Sequence, residues 1–224
     1  MSPRGPRSSV GRGALSAGQL VSLAAFLNLG ASPGPLRWPE IFSRSAPVEL
    51  EIGCGNGRFL ARAAQERPEA CFLGIERSRK YARLAAERLE KHGVRNARVA
   101  CAVAEEFLRD FVPPSAFAGI HIYFADPWPK RRHAKRRLFQ WPLVGLLARA
   151  AAAGASVAIK TDVDWHYAQI ASLFIEHPDF EIVKYGQQTE FPDEDLQMTG
   201  FESKARRSDR PVFFLRARRK EAHL

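Results

Sequence analysis

Acidic residues are missing from the first 39 positions; Glu40 is the first. That stretch carries Arg4, Arg7, Arg12 and Arg37 among Gly, Ser and Pro. Residues 1–13 are too poor in apolar side chains to order themselves and read as disordered. Cysteine is scarce. Cys54, Cys71 and Cys101 form no C-x-x-C pair, which suggests neither a disulfide framework nor a zinc site and fits a reducing cytosol. Long apolar runs are lacking too. The longest, Leu20–Leu27, is too short to span a membrane. No internal repeat is visible.

What is present is 224 residues, 46% hydrophobic and 26% charged, enough for one domain with a sizeable core. The net charge is +10 and the pI about 10.0, which favours a polyanionic partner, nucleic acid before membrane. The chain divides into a basic arm (1–37), a folded domain (38–220) and a short tail (221–224). Pro33 to Pro39 is a linker, and Gln19–Asn28 fits a short helix with Leu20, Leu23, Ala24 and Leu27 on one face. The acid-poor start reads either as an RNA-binding arm or as a targeting segment.

From Trp38 onward, strands and helices alternate. Strands are expected at Val48–Ile52, Cys71–Ile75, Ala97–Val103, Gly119–Phe124, Ala155–Lys160, Phe180–Tyr185 and Val212–Arg216. Helices are expected at Arg58–Arg67, Arg77–His92, Ala104–Phe111, Phe139–Ala153 and Asp162–His177. Regular βα alternation implies an α/β fold with a parallel sheet covered on both faces.

Two stretches carry chemistry. Residues 125–137 read A-D-P-W-P-K-R-R-H-A-K-R-R. Proline cannot continue a central strand, so the preceding strand stops near Asp126, and ligands of open α/β sheets bind beyond carboxyl strand ends. Asp126 therefore meets the ligand. Lys130, Arg131, Arg132, Lys135, Arg136 and Arg137 meet something with phosphates. Trp128 reads equally as a base-stacking platform or a core anchor.

The second stretch is the glycine turn Gly53-Cys54-Gly55-Asn56-Gly57. Its G-x-G-x-G spacing departs from the dinucleotide fingerprint. Glu51 precedes it, and Glu76 ends the second strand, where a carboxylate is placed to accept bonds from a ribose diol. Together these suggest an adenosine cofactor lacking a pyrophosphate. S-adenosylmethionine (SAM) fits, its ammonium suiting Glu51 and Asp126.

The motifs E-I-G-C-G-N-G, G-I-E, D-P-W-P-K-R-R-H-A-K-R-R, K-T-D and T-G-F-E-S-K occur in that order. In this the chain resembles the bacterial-type tRNA (guanine-N7-)-methyltransferases, which make 7-methylguanosine at position 46 of the variable loop. The resemblance runs from about Trp38 to Arg218. It implies a Rossmann-like SAM-dependent methyltransferase fold, a mostly parallel seven-stranded sheet with an antiparallel last strand. A cytoplasmic enzyme, monomer or homodimer, is expected, and no metal, because neither the nucleophile nor the leaving thioether needs a Lewis acid. Glu51, Glu76 and Asp126 match SAM-contacting positions, alongside Gly53, Gly55 and Gly57. Lys130, Asp162, Thr199, Gly200, Phe201 and Glu202 match substrate positions. The family's Asp or Asn after the third strand is replaced by Val103, beside Ala104 and Glu105. The adenine contact then falls to a backbone N–H or to Glu105.

Guanine N7 carries a lone pair and no proton, so no general base is needed. Positioning and a preorganised negative field should dominate, with Asp126 the candidate for that field. Asp162 faces the ligand side or caps the following helix. Glu202 binds the guanine amine edge or pairs with Lys204. Two other readings compete: a different SAM enzyme acting on a base amine or small molecule, and a non-catalytic RNA-binding protein on this fold.

Overall fold

The computed structural model describes residues 23–31, 34–187 and 210–221. Eight strands form one sheet: β1 (Phe26–Leu27), β2 (Val48–Ile52), β3 (Cys71–Glu76), β4 (Ala97–Cys101), β5 (Phe117–Tyr123), β6 (Ala151–Thr161), β7 (Phe180–Gln187) and β8 (Phe213–Arg219). Six α-helices connect them: α1 (Trp38–Phe42), α2 (Arg58–Glu66), α3 (Arg79–Lys91), α4 (Ala104–Asp110), α5 (Trp141–Ala150) and α6 (Asp164–Glu176). The strand order is β1-β4-β3-β2-β5-β6-β8-β7. β8 runs antiparallel to both β6 and β7, and every other pairing is parallel.

The central strands are apolar on both sides because both faces are covered. On one face, Phe107 and Leu108 of α4, Leu143, Val144 and Leu147 of α5 and Ile170 and Phe174 of α6 pack over Leu50, Ile120 and Val157. On the other, Phe59 and Leu60 of α2 and Ala82, Ala85, Ala86 and Leu89 of α3 pack over Phe72 and Val99. The alanine face of α3 keeps that layer thin.

The expected fold class holds, with eight strands in place of the seven expected, and two stretches read as helix are in part strand. Leu27, assigned above to a short helix, lies in β1, which pairs in parallel with Val99 and Ala100 of β4. A free sheet edge offers hydrogen bonds that a lone helical turn cannot match. The alanines at 151–153, read as helix, open β6, and Ala151 pairs with Phe117. Alanine's helix propensity is a weak preference that sheet pairing overrides.

The turn between β2 and α2 is fixed by its neighbours. Gly53 and Cys54 donate to the Ile75 carbonyl at 2.8 and 3.1 Å, and Gly57 to the Cys54 carbonyl at 2.8 Å. Arg88 of α3 holds the Asn56 carbonyl at 2.8 Å. Gly57 caps α2 with φ +71°. A Cβ there would stand 2.8 Å from the Ala85 Cβ and 3.0 Å from its Cα. Gly55 also has positive φ, but a Cβ there meets nothing within 4 Å. Gly57→Ala should therefore lower unfolding free energy by about 2–4 kcal/mol, left-handed strain plus overpacking. Gly55→Ala should cost about 1–2 kcal/mol, the strain alone. Denaturant melts of the two variants check this, and equal losses would overturn it.

Candidate functional site

Because β4, β3, β2, β5 and β6 are parallel neighbours, their carboxyl ends share one rim. Glu51 stands at the end of β2 and Glu76 at the end of β3. Asp126 follows β5 and Asp162 follows β6. Val103 and Ala104 lie where β4 passes into α4. The fold thus gathers at one end of the sheet every described residue expected at the cofactor site. Thr199, Gly200, Phe201 and Glu202 lie outside the described residues, as does the acidic run Glu190–Asp195.

Glu76 is already partly engaged. Its Oε2 accepts from the Gly55 N–H at 3.0 Å and its Oε1 from the Ser78 N–H at 2.8 Å. These bonds fix the carboxylate against the glycine turn, while each oxygen keeps further accepting capacity. Over Gly53 and Gly55 the space is open, as a ligand lying against the backbone requires.

Glu51 is only 5% exposed. It accepts from the Leu60 backbone N–H in the first turn of α2, yet burial, with the charge of Glu76 adding, pushes its pKa up to about 8. Its Oε2 has no hydrogen-bond partner among the described residues. A buried, unpaired carboxyl oxygen is costly. A cation beside it would relieve that cost. The rim therefore suits a ligand carrying positive charge and hydroxyl donors.

The Asp126 loop carries local strain. Phe124 has φ +55° and Trp128 φ +44°, each costing about 1–2 kcal/mol for a non-glycine residue. Phe124 N–H donates to the Lys160 carbonyl at 2.8 Å, tying the loop to β6. Asp126 is exposed, and its Oδ1 accepts from the Trp128 N–H at 3.2 Å. Trp128 is half-buried with His133 edge-on at 5.4 Å. The basic run then winds into a 3-10 helix, Arg131–Arg136. Lys130, Arg132 and Lys135 are exposed. Arg137 turns inward: its Nε donates to the Trp128 carbonyl at 3.3 Å, and its guanidinium lies 4.7 Å from the Trp165 ring centre.

Asp162 pairs with Arg210 at 2.5 Å. The cap position of α6 is Val163, with no side-chain cap bond, so Asp162 does not cap that helix. Val103 is 37% exposed and Ala104 buried, so the side chains here are apolar where the family pattern has an acid or amide.

Three participants carry no sequence signal of their own. Arg210 belongs to no motif of the chain. Trp165 and His166 open α6. His166 is fully buried against Phe139 and Trp165, with ring-centre distances of 5.8 and 5.4 Å. Burial, helped by Arg137 and opposed by Asp126, lowers its pKa to about 4. The single hint was the aromatic W-H-Y run after K-T-D.

Comparison with known proteins agrees with this architecture. Residues 45–215 match the family described as "Putative methyltransferase". A tRNA (guanine-N(7)-)-methyltransferase of Nitrosococcus oceani is 38% identical over 187 residues, 83% of this chain and 77% of the relative. Its counterpart from Alkalilimnicola ehrlichii is 36% identical over 221 residues, 96% of this chain and 93% of the relative. Among solved structures, a SAM-dependent methyltransferase from Aquifex aeolicus superposes with a TM-score of 0.54 at 13% identity, covering 77% of this chain and 81% of that one. At that identity the likeness speaks for the fold alone. The chain belongs to the tRNA (guanine-N7-)-methyltransferase family.

Proposed function

We propose that this protein methylates N7 of a guanosine in tRNA, at position 46 of the variable loop, with SAM as methyl donor. The observation that carries the reading is the rim itself: Glu51, Glu76 and Asp126 at the ends of three adjacent strands, beside an open glycine turn. The residues fit SAM. Glu76 would accept from the ribose hydroxyls, and the unpartnered Glu51 oxygen suits its positive charge. With Val103 apolar, the adenine contact falls to backbone N–H groups near Ala104. Bound SAM supplies an electrophilic methyl group on a sulfonium.

The chain's own groups position and stabilise. Asp126 lies where its negative charge offsets the positive charge developing on the purine. No side chain has to remove a proton, since N7 carries none. Lys130, Arg132 and Lys135, exposed beside the loop, with Arg131 and Arg136 of the same run, would meet RNA phosphates and set the register of the tRNA. Asp162, Thr199, Gly200, Phe201 and Glu202 complete the guanosine site on the family resemblance.

The deciding experiment is incubation with labelled SAM and bulk tRNA followed by nucleoside analysis. 7-methylguanosine is expected, and label in any other nucleoside, or none, overturns the reading. Asp126→Asn keeps the shape of the side chain but not its charge. Its single-turnover rate should fall by about a hundredfold or more, as on loss of one preorganised electrostatic group, while tRNA affinity holds. A near-normal rate would move the catalytic burden to Asp162 or Glu202.

Glu51 makes SAM binding depend on pH. Its folded pKa, about 8 against an ordinary 4.5, is raised, so the folded protein holds a proton that the unfolded chain releases. Stability of the ligand-free protein from this group is therefore full below about pH 4.5 and declines as pH rises towards 8. A bound cation reverses the preference, and Glu51 gives up its proton on binding. At pH 6.5 calorimetry in buffers of different ionisation heat should find about one more proton released per SAM by wild type than by Glu51→Gln. Taking the difference removes the titration of the ligand's own amine, which lies near pH 8. Equal proton release by the two proteins would refute the pairing of Glu51 with the cation.

A further inference from the structure

Arg137 ends the basic run, yet unlike Arg132 and Lys135 it is half-buried. Its guanidinium lies over Trp165 and its Nε holds the Trp128 carbonyl. Trp128 is the left-handed residue whose N–H is bound by Asp126. Trp165 belongs to the first turn of α6, which is anchored to the same segment twice more. His166 packs edge-on against Phe139, and Gln169 Nε2 donates to the Phe139 carbonyl at 3.2 Å. Gln140 Nε2 donates to the Arg137 carbonyl at 2.8 Å. A continuous set of contacts thus runs from α6 through Trp165, Arg137 and Trp128 to Asp126. A strained loop persists only where its surroundings over-determine it, and here those surroundings are α6 and Arg137.

We propose that Arg137 and Trp165 form a latch that holds the Asp126 loop in its working conformation, which makes Arg137 a positioning residue for methyl transfer rather than a phosphate contact. A flat guanidinium can stack on an indole and donate from Nε at once. A lysine ammonium carries the charge but cannot do both. Burial keeps His166 neutral, so it adds no second cation beside Arg137. The latch rests on the proposed methyl transfer with Asp126 at its centre.

The test measures single-turnover methylation at saturating tRNA and SAM, and tRNA affinity across salt concentrations, for wild type, Arg137→Ala, Arg137→Lys, Trp165→Ala and Trp165→Phe. Arg137→Ala, Arg137→Lys and Trp165→Ala should each slow methylation by about tenfold or more, the scale on which small misplacement of a reacting group is felt. Trp165→Phe, which keeps an aromatic face, should stay within about threefold of wild type. The salt slope of tRNA affinity should be unchanged throughout. The double Ala variant should be no slower than its slower parent, since both remove one contact. The proposal is overturned if Arg137→Lys restores the wild-type rate, or if Arg137→Ala lowers the salt slope by about one, the mark of a lost phosphate contact. Should the Ala variants lose SAM binding along with their fold, Arg137→Lys and Trp165→Phe decide by the same criteria. A wild-type protein that methylates no tRNA would remove the functional reading, whereas an active wild type with an equally fast Arg137→Ala removes the latch alone.

Discussion

Burying the Glu51 carboxyl at the end of a central strand, within reach of the Glu76 charge, is the constraint on which the rest of the site depends. Ionised and alone, a carboxylate in such a place is too expensive to keep. Two things lower the cost: the Leu60 N–H, supplied by the start of α2, and either a proton or an outside cation on the other oxygen. The first requires α2 to begin immediately after the glycine turn. That in turn requires Gly57 to be left-handed and to lie against Ala85. The second suits the rim to a positively charged ligand. Structure and binding preference thus come from the same electrostatic problem.

The next strand end along the rim solves a different problem. In its proposed role Asp126 has to be reached by the substrate, so it cannot be buried as Glu51 is. It is exposed instead, and its position is set through the backbone: two left-handed residues, a bond from the Trp128 N–H, and prolines on both sides of Trp128. An exposed carboxyl suits the proposed role, that of a group acting when the purine arrives. A buried acid suits one that waits for the cofactor. The two carboxylates are three residues or fewer from the ends of adjacent strands, and their environments divide the work.

Much of this was legible in the chain. The βα alternation indicates the order and type of every strand and α-helix from Val48 onward, because central strands of a covered parallel sheet must be apolar throughout; the 3-10 helix Arg131–Arg136 carries no such signal. The glycine turn, Glu51, Glu76 and Asp126 were readable because their spacing ties them to strand ends. What escaped depends on contacts distant in sequence. β1 is two residues long and exists only because β4 offers an edge. The expected end of α5 runs over Ala151–Ala153, which belong instead to β6, where Ala151 pairs with Phe117. Arg210 meets Asp162 only once β8 lies beside β6, so the cap reading of Asp162 looked reasonable from local sequence.

The basic run shows the same limit most clearly. Read as a string, residues 130–137 form one uniform patch of charge. In the fold they wind through a short 3-10 helix, whose near three-residue period separates neighbours onto different sides. Arg132 and Lys135, three apart, are both exposed. His133 lies against Trp128, and Arg137 is drawn onto Trp165. Charge counting cannot distinguish these, since arginine serves phosphate recognition and aromatic stacking with one group. The distinction depends on where α6 begins, and α6 begins where the K-T-D strand ends. The segment that would grip the RNA and the segment that would orient the carboxylate are therefore one stretch of chain, fastened to α6 at its inner end.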